Sequence, residues 1–396
     1  MKTKCFSLLA GCALCAIFLS SAYGNHRTGS LVLPEEMVTG DFNQDGNVDL
    51  AVNDTGFDNI AIFIGDGAGG LTLTGHISTN TLPKGLATGD INRDGHLDLV
   101  EANTWGYTGL VYSGDGKGAF NMLKEVKGDG EPTRLVVRDF NNDGRLDLAL
   151  NAPDEGKILI YFGDGKGGFT IPALELVDLS TNSAIAAGDL NNDGNQDIIN
   201  SFLVSKLADG SRIAVLLGDG TGGFNRIADL TVNQLPTSIQ IADLNHDGNL
   251  DFVVAGAEPN NTEGNFVSTF LGDGTGNFTP KQTITLGPGD LKGDIALGDF
   301  NEDGSLDVAF PQTGGGSNTM LMFFGDGTGG LIAGPAITVG AEPHTAVTAD
   351  FNKDGHLDVV VSNRTDGTII VLFGDGTGNF PTSSLFSVVC PTCLVP

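Results

Sequence analysis

Seven nine-residue stretches of this chain carry the side chains that bind a hard metal ion. The first reads Asp41-Phe-Asn43-Gln-Asp45-Gly46-Asn47-Val-Asp49. The same D-x-N-x-D-G-x-x-D pattern returns at Asp90, Asp139, Asp189, Asp243, Asp299 and Asp350, at steps of 49, 49, 50, 54, 56 and 51 residues. Calcium takes about 6–8 oxygen ligands at roughly 2.3–2.6 Å. Oxygens at positions 1, 3 and 5 can supply them, with Gly at position 6 for the sharp turn, a main-chain carbonyl at position 7 and Asp at position 9 completing the ring. The side chain at position 7 is then free to vary, as it does.

The expected ligand sets follow loop by loop. Loop 1 offers Asp41, Asn43, Asp45, Asn47 and Asp49; loop 2, Asp90, Asn92, Asp94, His96 and Asp98. Loop 3 offers Asp139, Asn141, Asp143, Arg145 and Asp147; loop 4, Asp189, Asn191, Asp193, Asn195 and Asp197. Loop 5 offers Asp243, Asn245, Asp247, Asn249 and Asp251; loop 6, Asp299, Asn301, Asp303, Ser305 and Asp307. Loop 7 offers Asp350, Asn352, Asp354, His356 and Asp358. About seven Ca²⁺ sites are expected. Three Asp in nine residues repel one another without a cation, and a merely solvated acidic turn would not require Asn at position 3 and Asp at position 9 every time. An EF-hand loop continues into a helix. Here position 9 leads into strand-forming runs such as Leu50-Ala-Val and Val359-Val-Val.

A second motif accompanies each loop: Gly65-Asp66-Gly67, then the same triplet from Gly114, Gly163, Gly218, Gly272, Gly325 and Gly374. Asp-Gly between apolar runs is a hairpin signal. Each period therefore holds four strand-like runs: A before the acidic loop, B after it, C before Gly-Asp-Gly and D after that. Four antiparallel strands per repeat make a propeller blade. The expected fold is all-β, a seven-bladed β-propeller spanning residues 25–389. Its A–B and C–D turns lie on one face, its B–C and D–A connections on the other. The outer strand of blade 7 is expected at Ser383–Val389, with Ser30–Leu33 as competitor.

Over about residues 30–389 the chain resembles the FG-GAP/VCBS repeat proteins, whose best-known propeller is the integrin α-subunit head. The resemblance rests on D-x-N-x-D-G-x-x-D followed by segments such as Leu372-Phe-Gly374-Asp375-Gly376-Thr-Gly378-Asn-Phe380. It implies that the calcium loops are structural and lie opposite the ligand face. In this chain all seven blades carry the motif.

The 396 residues carry 49 acidic and 20 basic side chains, a net charge of −29. Seven loops with three Asp each and seven turns with one account for 28 of those acids, all on one face. So acidic a chain is a poor match for nucleic acid, which needs a basic surface, or for an anionic membrane. With 40% hydrophobic residues it is also unlike a disordered acidic tail. Residues 1–24 read as a signal peptide: Lys2 and Lys4, an apolar run to Leu19, and a small-x-small end at Ala22-Tyr-Gly24. Leu9-Ala-Gly-Cys12 offers a weaker, lipoprotein-like alternative. No later segment approaches the roughly 20 apolar residues that span a bilayer. A secreted or cell-surface monomer is expected. Residues 390–396 form a tail whose Cys390-x-x-Cys393 suits a local disulfide or two thiols, since no thioredoxin-like context accompanies it.

Binding is expected on the other face, where connections vary. Trp105 and Tyr107, in the B–C connection of blade 2, are the candidate ligand residues; the competing role for Trp105 is packing between blades. The six histidines show no convergence and G-x-S-x-G is absent. The functional expectation is a non-catalytic adhesion module for a protein or glycan. The alternatives are a lyase-like polysaccharide enzyme and a purely structural matrix component.

Overall fold

The computed structural model describes residues 32–389 apart from 128–129, 171–173, 177–183, 204–210, 233–234, 258–264, 287–292 and 314–315. The signal segment, the cysteine tail and the long B–C connections of blades 4 and 5 lie wholly or mainly outside the described residues. Twenty-eight strands form seven four-stranded antiparallel sheets, each in simple chain order. Among the described residues there is no helix. Blade 1 runs Pro34–Gly40 (A), Asp49–Asp54 (B), Asn59–Gly65 (C) and Leu71–Ser78 (D). Blade 7 runs Pro343–Ala349, Asp358–Asn363, Thr368–Phe373 and Thr382–Ser387. Its outer strand pairs in register from Thr368↔Ser387 to Phe373↔Thr382. The chain end thus supplies that strand, and Val32 and Leu33 stay outside any strand.

Hydrophobic burial is divided among seven seams, one between each pair of neighbouring blades, the last joining blade 7 to blade 1. Successive side chains of a strand point to opposite faces. In strand B of blade 1, Leu50 and Val52 therefore enter the seam with blade 7 while Ala51 enters the seam with blade 2. Burial on both faces makes the B strands continuous apolar runs. The D strands are half exposed and alternate, as in Phe224–Val232.

Blade 7 and blade 1 share no strand, so packing and charge close the ring. Val32 and Met37 pack with Val388 and Ile369. Ser362 Oγ donates to the Glu35 carbonyl at 3.1 Å. The buried Glu35 carboxylate, on strand A of blade 1, pairs with Lys84 from strand A of blade 2. Its Oε1 lies 3.0 Å from Nε of Arg364, which follows strand B of blade 7; this is a charge contact rather than an aligned hydrogen bond. Burial would raise the Glu35 carboxyl, but Lys84, His344 and Arg364 together hold it at about 2. Nearby, Arg134 pairs with Glu36 of blade 1 and, at 2.9 Å, with Asp294 ahead of strand A of blade 6. It stands at one side of a cavity of about 250 Å³ lined largely by inner strands.

Candidate metal loops and the opposite face

Each acidic loop leaves a short inner strand, crosses to strand B, and is built on its own backbone. In loop 1 the Asp41 carboxylate accepts from the N–H groups of Asp45 at 3.1 Å and Gly46 at 2.8 Å. Asn43 Oδ1 accepts from Asp45 N–H, and Asp45 Oδ1 from Asn47 N–H. The bonds from positions 5, 6 and 7 recur in all seven loops, shown for the last by Asp350, Asn352 and Asp354. Asn43 also donates its amide N–H to Asp45 Oδ2 at 2.9 Å. An Asp at position 3 would instead add a fourth carboxylate. Backbone hydrogen bonding lowers the Asp45 carboxyl pKa.

Position 9 joins the two motifs. Asp49 opens strand B fully buried. Its Oδ2 accepts from Phe42 N–H and its Oδ1 from Gly65 N–H, both at 2.8 Å. Gly65 begins the Gly-Asp-Gly turn, and a Cβ there would collide with the Val48 carbonyl. The first glycine of the second motif is thus dictated by the closeness of the first motif. Burial raises the position-9 carboxyls against these bonds, to about 6 at Asp147, Asp197 and Asp307, and the charges at positions 1 and 5 add to the rise. A cation beside them would reverse that penalty.

The structure also gives roles to positions that sequence analysis left blank. Position 2 is a buried apolar residue in every loop: Phe42, Ile91, Phe140, Leu190, Leu244, Phe300 and Phe351. Three of these rings meet, edge-on, the Phe after Gly-Asp-Gly in the next blade: Phe42–Phe120, Phe140–Phe224 and Phe300–Phe380, with centroids 5.3, 5.7 and 5.9 Å apart. Their unbroken apolar character was the available signal. Position 4 (Gln44, Arg93, Asn142, Asn192, His246, Glu302, Lys353) has φ between 55° and 62° in all seven loops, a region non-glycine residues seldom occupy. Several of these side chains reach the following blade. Gln44 donates to the Gly95 carbonyl at 2.8 Å, Asn142 to Asn195 at 2.7 Å and Asn192 to Asn249 at 2.8 Å, and Glu302 meets His356. Position-7 side chains lie against the Gly-Asp-Gly turns, as Asn47 does at Gly67 and His96 at Gly116. A chain of contacts therefore links neighbouring loops.

Among the described residues no group of three or more His, Cys, Asp or Glu side chains is gathered as a metal cluster. The donor chemistry of each loop still suits a hard cation: oxygens alone, three negative charges, and carboxylates at positions 1 and 5 beside the buried one at position 9.

On the opposite face, Trp105 and Tyr107 are 39% and 49% exposed. Their turn is held by Gly106 N–H to Asn103 Oδ1 at 2.8 Å, with Tyr107 at φ 54°. Beneath it lies Glu101, fully buried, its carboxylate accepting from Asn103 and Tyr112. Burial pushes the Glu101 carboxyl up to about 8, with Asp58 adding to the rise. A carboxyl whose folded pKa exceeds its unfolded value costs stability as pH climbs between the two. The Glu101→Gln variant is therefore expected to melt higher than the parent at pH 8, with the advantage shrinking toward pH 5. The full linkage is at most about 4–5 kcal/mol. Equal melting differences at the two pH values would contradict a neutral Glu101.

One histidine has charged neighbours that its sequence position does not indicate. His344 sits in strand A of blade 7, buried beside Glu35, Lys84 and Arg364. Burial, with the neighbouring cations, depresses it to about 3 although Glu35 opposes.

These features define a class: a seven-bladed propeller with an acidic loop and a Gly-Asp-Gly hairpin on the same face of every blade. The FG-GAP-like repeat model matches residues 41–101, 139–199 and 250–310. With those matches and its seven blades, the chain is an FG-GAP-repeat β-propeller. No curated protein matches it in sequence. Among solved structures it is similar to Kuenenia stuttgartiensis hydrazine synthase (12% identity, 89% of this chain and 99% of that one, TM-score 0.64). It is also similar to a Lactobacillus plantarum protein (15%, 90% and 96%, 0.58) and to a putative 6-phosphogluconolactonase from Bacteroides uniformis (13%, 90% and 100%, 0.58). At such identities the likeness concerns the fold alone.

Proposed function

We propose that this chain is a secreted, calcium-stabilised propeller that works as a non-catalytic binding module, with its ligand on the face of the B–C turns. The observation that carries this reading is a division of labour between faces. The loop face holds the repeated carboxylates. All exposed aromatic side chains among the described residues, Phe57, Trp105 and Tyr107, stand on two B–C turns of the other face. Calcium would be held by positions 1, 3, 5, 7 and 9 of each loop, where it would offset the carboxylate charge and fasten strand A to strand B. Against an enzyme stands the state of the one His-acid-cation cluster described above. His344 is buried and held neutral, and Glu35 is saturated by two cations, so neither is poised to move a proton at a substrate. Release of unsaturated or reducing ends from polysaccharides would favour the lyase-like alternative.

The calcium part is tested by native mass spectrometry in millimolar calcium. About seven ions should bind, and Asp45→Ala should bind one fewer, because blades contact chiefly their neighbours. An unchanged count would remove loop 1 from the set of sites. Loss of every ion would show that the contacts between loops couple the whole ring.

A further inference from the structure

We infer that the seam between blades 1 and 2, on the B–C face, is a stacking site for a neutral glycan, with Phe57, Trp105 and Tyr107 as its platforms and Asn80 and Thr81 between them. This rests on the binding-module reading and names its ligand class. The three aromatics belong to one surface because a single segment joins their turns. In the D–A connection Thr79–Leu82, Thr79 N–H donates to the Asp58 carbonyl at 3.0 Å and Leu82 N–H to Asp58 Oδ1 at 2.8 Å. The Leu82 carbonyl accepts from Thr104 N–H at 3.1 Å, and Asn80 Nδ2 donates to Thr108 Oγ1 at 3.4 Å. Phe57, next to Asp58, therefore stands on one side of the segment. Trp105 and Tyr107, flanking Gly106, stand on the other, with Asn80 packed against Gly106.

The turns that carry the platforms are held by their backbone geometry. Asp58, Leu82 and Tyr107 hold positive φ angles of 52°, 65° and 54°, and both turns are tied to the connection by hydrogen bonds. Asn80 and Thr81 are exposed. Aromatic faces stack on the C–H faces of a pyranose, while exposed amide and hydroxyl groups meet its hydroxyls. Charge selects the glycan. Residues 53–59, 79–83 and 101–108 contain Asp54, Asp58 and Glu101 and no Lys or Arg; a cation stands beside them at Lys127, opposite Thr108 at the end of strand D, so a uronate or sulfate would meet acids around the rings and a cation only at the edge. A protein partner is a poorer fit. A specific protein interface buries about 800 Å² on each side around an apolar core, and these three rings are separated by polar side chains. The other large exposed apolar residues (Met122, Leu123, Ile227, Ile332, Leu385) lie on D strands.

Trp105 is the only tryptophan, so intrinsic fluorescence reports this site directly. In calcium, the protein is titrated with neutral cello-, chito-, manno- and galacto-oligosaccharides and with anionic oligogalacturonate and chondroitin sulfate. At least one neutral series should shift the emission to shorter wavelength and saturate, and the anionic ones should leave it unchanged. Phe57→Ala and Tyr107→Ala should each weaken binding about tenfold or more with melting temperatures unchanged, and Leu385→Ala should have no effect. A response to the anionic glycans alone overturns the inference. So does saturable neutral-glycan binding that Phe57→Ala and Tyr107→Ala leave intact, since the binding module then survives with its site elsewhere. If no glycan shifts the emission or is retained on a glycan array, the glycan inference fails. The binding-module reading fails with it only if Phe57→Ala and Tyr107→Ala also leave unchanged the capture of protein partners from the protein's own surroundings.

Discussion

In a chelator the protein is expected to melt roughly 10 °C below its melting temperature in millimolar calcium. Extracellular calcium modules bind with Kd of about 10⁻⁴–10⁻³ M. At a few times Kd a site contributes about 1 kcal/mol by mass action. Seven sites then add about 7 kcal/mol, comparable with the ~5–15 kcal/mol of a typical fold. The loops give that linkage a structural route. Each joins strands A and B, and its position-9 carboxylate, such as Asp49 held by Phe42 and Gly65, ties it to the C–D turn. Equal magnesium should fail to restore the melt, because it demands strict octahedral geometry at about 2.0–2.1 Å and sheds water reluctantly. Superimposable melts in chelator, calcium and magnesium would sink the proposal that calcium organises this face.

The second large effect is expected at Glu35. Its carboxylate joins blades 1, 2 and 7 through Lys84 and Arg364, where the ring closes without a shared strand. Glu35→Gln keeps the shape and removes the buried negative charge that two partly exposed cations share. Removing one partner of a buried pair costs about 3–5 kcal/mol. The loss should be complete at neutral pH. The Glu35 pKa is depressed to about 2, so the parent's advantage is present above the unfolded value and fades as pH falls toward 2. Urea unfolding measures it. A deficit under about 1 kcal/mol at pH 7 would mean that the apolar seam of Val32, Ile369 and Val388 closes the ring unaided.

Both predictions depend on residues that were not equally legible. The loops could be read because their pattern is local. Positions 1, 3, 5 and 6 lie within six residues, and every bond among Asp41, Asn43, Asp45 and Gly46 forms inside that span. Repetition then multiplied the signal sevenfold. The hairpins were legible for the same reason. Position 4 was not: Gln, Arg, Asn, His, Glu and Lys share no side-chain chemistry. What unites them is a left-handed backbone, and the reach of several into the next blade. Position 2 was legible in principle and passed over, since a buried apolar residue in an acidic loop makes sense only once a neighbouring blade supplies its partner.

The sequence by itself determined the number of blades, the strand order within each, the face on which the acidic loops gather, and the B–C turn on which Trp105 and Tyr107 stand. These depend on patterns that repeat within one period of about 50 residues. Tertiary structure decided the rest. It brought Ser362 to Glu35 across 327 residues and Arg134 to Asp294 across 160. It placed Phe57 on the same seam as Trp105 and buried His344 beside Glu35. Such contacts join residues from different blades that occupy no repeated motif, so no periodicity marks them. They exist because the ring closes and brings distant inner strands and neighbouring turns together.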